Sequence, residues 1–238
     1  MSVVVVLPYV WQPYFDDCIA TVKIPREQML IIDNTRYNHG IMRSHNMGID
    51  FMREKGADWL VIMSAAIRFG PSGGLDYLDV LEKNTDNYYA LGAASENVGP
   101  IGGGHPVEDP VNKVFGWHLL GFHRRVFDAI GRWDANFSPY GLDDLDMSLR
   151  IKKHFHDPTG WETAPCDVFD TTMSHSISLA GVVAPYAPRE EYFVRKWGRK
   201  GGDWQNDGYE HPFNDPENPL SYWPRAMNGD SCDGGYGV

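Results

Sequence analysis

GRWDANFSPYGLDDLDMSLR, running from Gly131 to Arg150, carries the most unusual charge pattern in the chain. Three aspartates, Asp143, Asp144 and Asp146, crowd into four positions where a helical pattern begins, directly after the turn Ser138-Pro139-Tyr140-Gly141. Carboxylates in a first helical turn are favoured by the open N–H groups and by the helix dipole. The pattern predicts a helix from about Asp143 to His154, with Asp146 placed to pair with Arg150 one turn on. On the plainest reading all three carboxylates serve the helix start. Whether the first two also do chemistry depends on what surrounds them.

Upstream, strand and helix signals alternate. SVVVVLPYV is a β-branched run stopped by a proline, which predicts a buried strand, and PYFDDCIATV predicts a helix with Pro13 near its first turn. MLIIDN predicts a second strand ending at Asp33-Asn34; a helix from Arg43 to Lys55, with Met47, Phe51 and Met52 on one side, is closed by Gly56. DWLVIMS, a helix marked by Leu75, Leu78 and Leu81, and the strand YYALGA follow. Strands alternating with helices over short connectors predict an α/β fold with a parallel sheet. Such sheets bind ligands at the carboxyl ends of their strands, where Asp33, Asn34 and Ser64 stand. Residues 97–110 read as a Gly- and Pro-rich loop, KVFGWHLLGFHRR as a further strand and RRVFDAIGRWD as a short helix. From Pro185 onward Pro, Gly, Asn and Asp dominate and predict irregular structure, although Trp197, Trp204 and Trp223 predict that this extension packs on the domain.

Bulk properties narrow the function. A net charge of −11 argues against a general electrostatic grip on nucleic acid. The longest apolar run, Val3 to Leu7, is too short to span a membrane, and its position directly after Met1-Ser2 predicts no signal peptide. Cys18, Cys166 and Cys232 form no CxxC pair, so a reducing, cytoplasmic location is expected. The first strand is followed by LPYVWQP rather than a GxGxxG dinucleotide fingerprint, and no GxxxxGK[ST] phosphate loop occurs.

The order of the remaining features resembles the GT-A glycosyltransferases, especially family 2, over about residues 3–180. LIIDN matches the strand that ends on a nucleobase contact, SHNMGIDFM supplies an N-x-G at a helix start through Asn46 and Gly48, and Gly131–Arg150 matches a GFDE–F–EDxDLxxR block. That block is the most specific part of the match. The resemblance implies a Rossmann-like, mixed but mainly parallel sheet flanked by helices, spanning residues 1–184. The nucleotide-binding half would be about 1–96, the acceptor half about 97–184, and 185–238 the irregular extension. It implies transfer of a sugar from a nucleotide-sugar, with a UDP-sugar expected, to an acceptor hydroxyl with inversion. The acceptor would be a carbohydrate or a protein. A hydroxyl is a weak nucleophile at neutral pH, so a positioned carboxylate must take its proton; the resemblance gives that role to Asp144 and acceptor binding to Asp143. Pro8, Asp33, Asn34, Asn46 and Ser64 would hold the nucleotide-sugar, with Arg195 and Lys196, in FVRKWGRKGG, steadying the diphosphate. Trp117 and His118 would line the acceptor side.

One position departs from the family pattern. The strand DWLVIMSAAIRFGP should lead to the metal-binding aspartate, and Ala66 stands there with Ser64 two residues earlier. Hard cations need oxygen ligands. A divalent metal, Mn²⁺ or Mg²⁺, is therefore doubtful, and His175, near the position of a family metal ligand, would lack its usual partner. A catalytically inactive module that binds a nucleotide-sugar or glycan is the alternative expectation. A sugar-1-phosphate nucleotidyltransferase would want a basic, glycine-rich loop after the first strand, which LPYVWQP does not provide.

Overall fold

A computed structural model describes residues 2–95, 99–100, 118–137, 141–155, 161–170 and 186–197. The run Val3–Val6 has no solvent exposure at all, and its burial sets the architecture. It lies in strand β1 (Val3–Tyr9), an interior strand of a sheet whose order is β2 (Met29–Asp33), β1, β3 (Trp59–Met63), β7 (Leu119–His123), β5 (Ala90–Ser95), with β8 (Trp161–Pro165) and the short β6 (Gly99–Pro100) both paired to β5. β1 runs parallel to β2 and β3, and β5 runs parallel to β8; β7 lies antiparallel between β3 and β5. Five strands thus point one way and β7 with β6 the other, so the sheet is mixed but mainly parallel. A second, two-stranded sheet joins β4 (Ile67–Phe69) to β9 (Val168–Asp170).

Alternation along β1 and β3 divides the core between the two faces of the sheet. Val4, Val6, Leu60 and Ile62 face one apolar cluster, covered by α2 (Ile41–Lys55), α4 (Arg124–Ile130), α5 (Asp143–Phe155) and α6 (Tyr186–Trp197). Val3, Val5, Leu7, Val61 and Met63 face the other, covered by α1 (Gln12–Ile19), α3 (Leu75–Lys83) and the β4–β9 pair. Helix α2 buries Met42, Ile49 and Met52, whereas Met47, expected on that side, is 40% exposed because it falls on the opposite helical face. Gly48 lets this helix approach the sheet: a Cβ there would lie 2.9 Å from Cβ of Val6 and 3.2 Å from a methyl of Leu60.

Two segments differ from the expectation. WETAP and VFD, which carry no strong strand pattern, are β8 and β9, held by pairing with distant partners. Residues 186–197, expected to belong to an irregular extension, form α6, and Tyr192, Phe193 and Trp197 lie in the core. Their spacing is that of an amphipathic helix, and Pro188 sits in the first turn, where proline is tolerated. Residues 198–238 lie outside the described residues. No helix among the described residues is long and apolar enough to cross a membrane.

Candidate active site

The chain enters α5 through two consecutive left-handed residues, Gly141 at φ 101° and Leu142 at φ 64°. Leucine in that region is strained, and its side chain is held there by packing on the core of α2, α4, α5 and α6. The Leu142 carbonyl accepts the first helical bond, from the Asp146 N–H at 2.9 Å. This sharp entry aims the two leading carboxylates. Asp143 is 5% exposed and accepts the Gly141 N–H at 2.8 Å; Asp144 is half-buried and accepts the Leu145 N–H at 2.7 Å.

Burial, then the neighbouring Asp144 charge, pushes the Asp143 carboxyl up to about 7 against the opposing Gly141 bond. Burial also raises the Asp144 carboxyl, against the bond from Leu145. Two adjacent carboxyls that resist joint ionisation share a proton near neutrality. Asp143 is the more buried of the two.

Asp146 belongs to a different group. Its carboxylate pairs with Arg150 Nε at 3.0 Å and Lys196 Nζ at 2.8 Å, and accepts the Trp197 Nε1–H at 2.9 Å. Lys196 also meets Asp134 at 2.7 Å, and Asp134 accepts the Tyr192 hydroxyl at 2.5 Å and two bonds from Asn136. Burial works against ionised Asp134, but the Lys196 charge and these bonds hold its carboxyl below the ordinary carboxylate range. Asp134, Asp146, Arg150 and Lys196 are each buried, and their charges balance. Lys196, expected at a diphosphate, is thus enclosed at 2% exposure between two carboxylates, while the next residue back, Arg195, is exposed. A step of about 100° per residue puts these two adjacent members of the basic run on different faces of the helix. Sequence reading also passed over Arg189, a buried cation of α6 that packs against Gly141: a Cβ there would lie 3.3 Å from its Nε. The signal was available, since Arg189, Tyr192, Phe193 and Lys196 share one helical face.

At the carboxyl ends of the parallel strands, Tyr9 and Asp33 are register partners. Asp33 is exposed and accepts the Thr35 hydroxyl at 2.6 Å and the Thr35 N–H at 2.8 Å. These bonds, hydroxyl first, hold its carboxyl below the usual range, helped by the Tyr9 hydroxyl and Arg36. Pro8 follows Val4 and Val6 in alternation and so falls on the sheet face that α5 covers. Asn34 is buried and bonded within the protein. Its Nδ2 donates to Ser44 Oγ at 3.1 Å and its Oδ1 accepts the His39 N–H at 3.2 Å, shaping the loop that presents Arg36 and Tyr37 to solvent. Asn46 is bonded at both ends of its amide: its Nδ2 donates to the Trp133 carbonyl at 3.0 Å and its Oδ1 accepts the Trp133 N–H at 2.9 Å. Both ends of the amide are used to clamp α2 to the segment before α5.

The turn after β3 brings Ser64 to His118, whose carbonyl accepts the Ser64 N–H at 2.8 Å; the Ser64 hydroxyl accepts the Ala66 N–H at 3.1 Å. The methyl of Ala66 is buried, and Arg68 donates to the Ala65 and Ile67 carbonyls at 3.0 and 2.7 Å. A hydroxyl and a methyl make a poor donor set for a divalent cation. Among the described residues no group of three His, Cys, Asp or Glu side chains is placed to hold a metal ion. Ala66 therefore supplies no oxygen ligand where the resemblance would place a metal-binding aspartate. Trp117 and His175 lie outside the described residues. Gly70-Pro71-Ser72-Gly73-Gly74 has the spacing of a nucleophile elbow, but Ser72 donates to the Asp76 carboxylate at 2.7 Å and accepts the Gly74 N–H, which makes it a turn residue ahead of α3.

The arrangement of sheet and helices superposes on residues 1–349 of S. aureus TarS with a TM-score of 0.50 at 8% identity, covering 82% of this chain and 64% of that one. The fold is GT-A. The chain spans less than two thirds of the length of the TarS chain that it matches. Weaker likenesses are to the catalytic domain of Drosophila beta1,4galactosyltransferase 7 in complex with xylobiose (TM-score 0.43, 13% identity, 73% of this chain and 71% of that one). Another is to a glycosyltransferase involved in glycosylation of the major capsid of PBCV-1 (TM-score 0.36, 6% identity, 70% and 82%). No family model and no curated protein matches the sequence.

Proposed function

We propose that the chain is a glycosyltransferase that moves a sugar from a nucleotide-sugar, a UDP-sugar in the first instance, to the hydroxyl of a carbohydrate or protein acceptor. The observation that carries this reading is the carboxyl pair at the mouth of α5 within a GT-A fold. Burial raises both carboxyls, Asp143 to about 7, and the more accessible Asp144 is the one assigned to proton abstraction. Asp144 is then the base. It takes the acceptor hydroxyl proton as the oxygen bonds to the anomeric carbon, and the bond from that carbon to the diphosphate breaks on the opposite face, inverting the centre. Asp143, as the protonated partner, donates a hydrogen bond to the acceptor. Asp33 and Pro8, at the strand ends, suit the nucleoside, and exposed Arg195 is the described cation of the basic run left for phosphate.

The test is Asp144→Asn in the full chain, assayed for transfer and for donor binding by calorimetry. Transfer is expected to fall about 10²–10⁴-fold, the usual contribution of proton abstraction, with donor affinity retained. An unchanged rate removes Asp144 as the base. Saturable donor binding by the unmodified chain without turnover over any acceptor tested would replace the reading with a binding module.

A further inference from the structure

Helix α6 carries two cations on its buried face, two turns apart, and both meet α5 or its entry. Arg189 lies against the Gly141 backbone, where a side-chain carbon would come within 3.3 Å of its Nε. Lys196 lies between Asp134 and Asp146, with its ammonium 5.5 Å from the centre of the Phe137 ring. Trp197 adds a donated bond to Asp146. The acidic pair thus stands between two points of attachment to one helix: the entry residue Gly141 on one side and Asp146, two residues beyond Asp144, on the other.

We infer that α6 is the positioning element of the acidic pair: Lys196, through Asp146 and Asp134, fixes the first turn of α5, Arg189 fixes the Gly141 entry, and together they hold Asp143 and Asp144 in one arrangement towards the acceptor. The catalytic consequence rests on the glycosyltransferase reading; the geometry does not. Neither cation touches the reacting atoms in this scheme, so both are positioning residues. The charges acting on Asp143 are those of Asp144 and Asp146 on α5 itself; Arg189 of α6 meets the Gly141 entry, and Lys196 of α6 and Asp134 from the segment before α5 connect to the pair through Asp146. The Asp146 charge is one of those that push the Asp143 carboxyl up, and Lys196 with Arg150 offsets it. A role limited to packing would leave that linkage without effect.

The experiment follows the Asp143 carboxyl carbon by ¹³C NMR across pH in the full chain, assigned with Asp143→Asn. Lys196→Met alone strands two buried carboxylates and risks unfolding. Asp146→Asn combined with Lys196→Met removes one charge of each sign, leaving Asp134 and Arg150 as one buried charge of each sign, and is the principal variant. It is expected to titrate at Asp143 about half a pH unit or more lower, and to move the alkaline limb of the pH–rate profile, where the protonated Asp143 is lost, the same way. Should it fail to fold, Trp197→Phe removes only the bond to Asp146 and is expected to shift Asp143 measurably upward. An unmoved Asp143 midpoint in whichever variant folds overturns the inference. A native chain that titrates as expected yet transfers nothing refutes the glycosyltransferase reading and leaves the positioning role of α6 intact.

Discussion

Asp143 and Asp134 are both buried aspartates within ten residues of each other, and their proton affinities move in opposite directions. The difference is the neighbour: Asp134 has Lys196, while Asp143 has another carboxylate. Because the folded chain binds the Asp143 proton more tightly than the unfolded chain, stability from this group is complete below its ordinary value of 3.8 and is lost as pH rises through about 7. Asp134 behaves oppositely, giving stability above its ordinary value that is lost as pH falls through its depressed one. Thermal unfolding of the native chain should therefore lose on the order of 1–3 kcal/mol between pH 5 and 8 relative to Asp143→Asn. Parallel pH profiles for the two proteins would mean that Asp143 ionises normally. At this scale the sequence spoke clearly about which residues matter and poorly about which does what. Asp143, Asp144 and Asp146 are adjacent in the chain, but only folding separates a proton-holding pair from the buried anion that Arg150 and Lys196 neutralise.

Helix α2 shows how a motif can be legible while its task is not. Asn46 and Gly48 match the family's N-x-G spacing, yet Asn46 binds the backbone of Trp133, 87 residues away, and Gly48 admits Val6 and Leu60. No local pattern encodes a partner at that distance. Gly48→Ala should press its methyl into β1 and cost about 1–3 kcal/mol, read as a lower denaturant midpoint at constant slope. A neutral effect would show that α2 can shift without loss. The elements that were legible, β1 to β3, β5 and β7 with α1 to α5, have apolar runs or amphipathic patterns bounded by turn residues. β8 escaped notice because WETAP has neither; it is a strand because β5 offers it a ladder from Ala90 to Ala94. α6 was hidden by its setting, a helical stretch of twelve residues beside a sequence rich in Gly, Pro, Asn and Asp.

For the whole molecule, α6 moves the boundary of the folded unit. A chain ended at residue 184, where the sequence suggested the domain stops, would lose Phe193 and Trp197, each worth about 2–3 kcal/mol of burial, and would also leave Asp134 and Asp146 without Lys196. Such a chain should bind a dye for exposed apolar surface and show no cooperative melt, whereas one ended at 197 or beyond should melt cooperatively. A cooperative melt from the shorter chain would place α6 outside the core. The same helix has a consequence for synthesis. The ribosome makes Asp134 and Asp146 at least fifty residues before the lysine that neutralises them, Lys196. Until Lys196 clears the exit tunnel, the growing chain holds a half-built, uncompensated interior. Completion of the native state is thereby tied to a late event in translation rather than to the early emergence of the sheet.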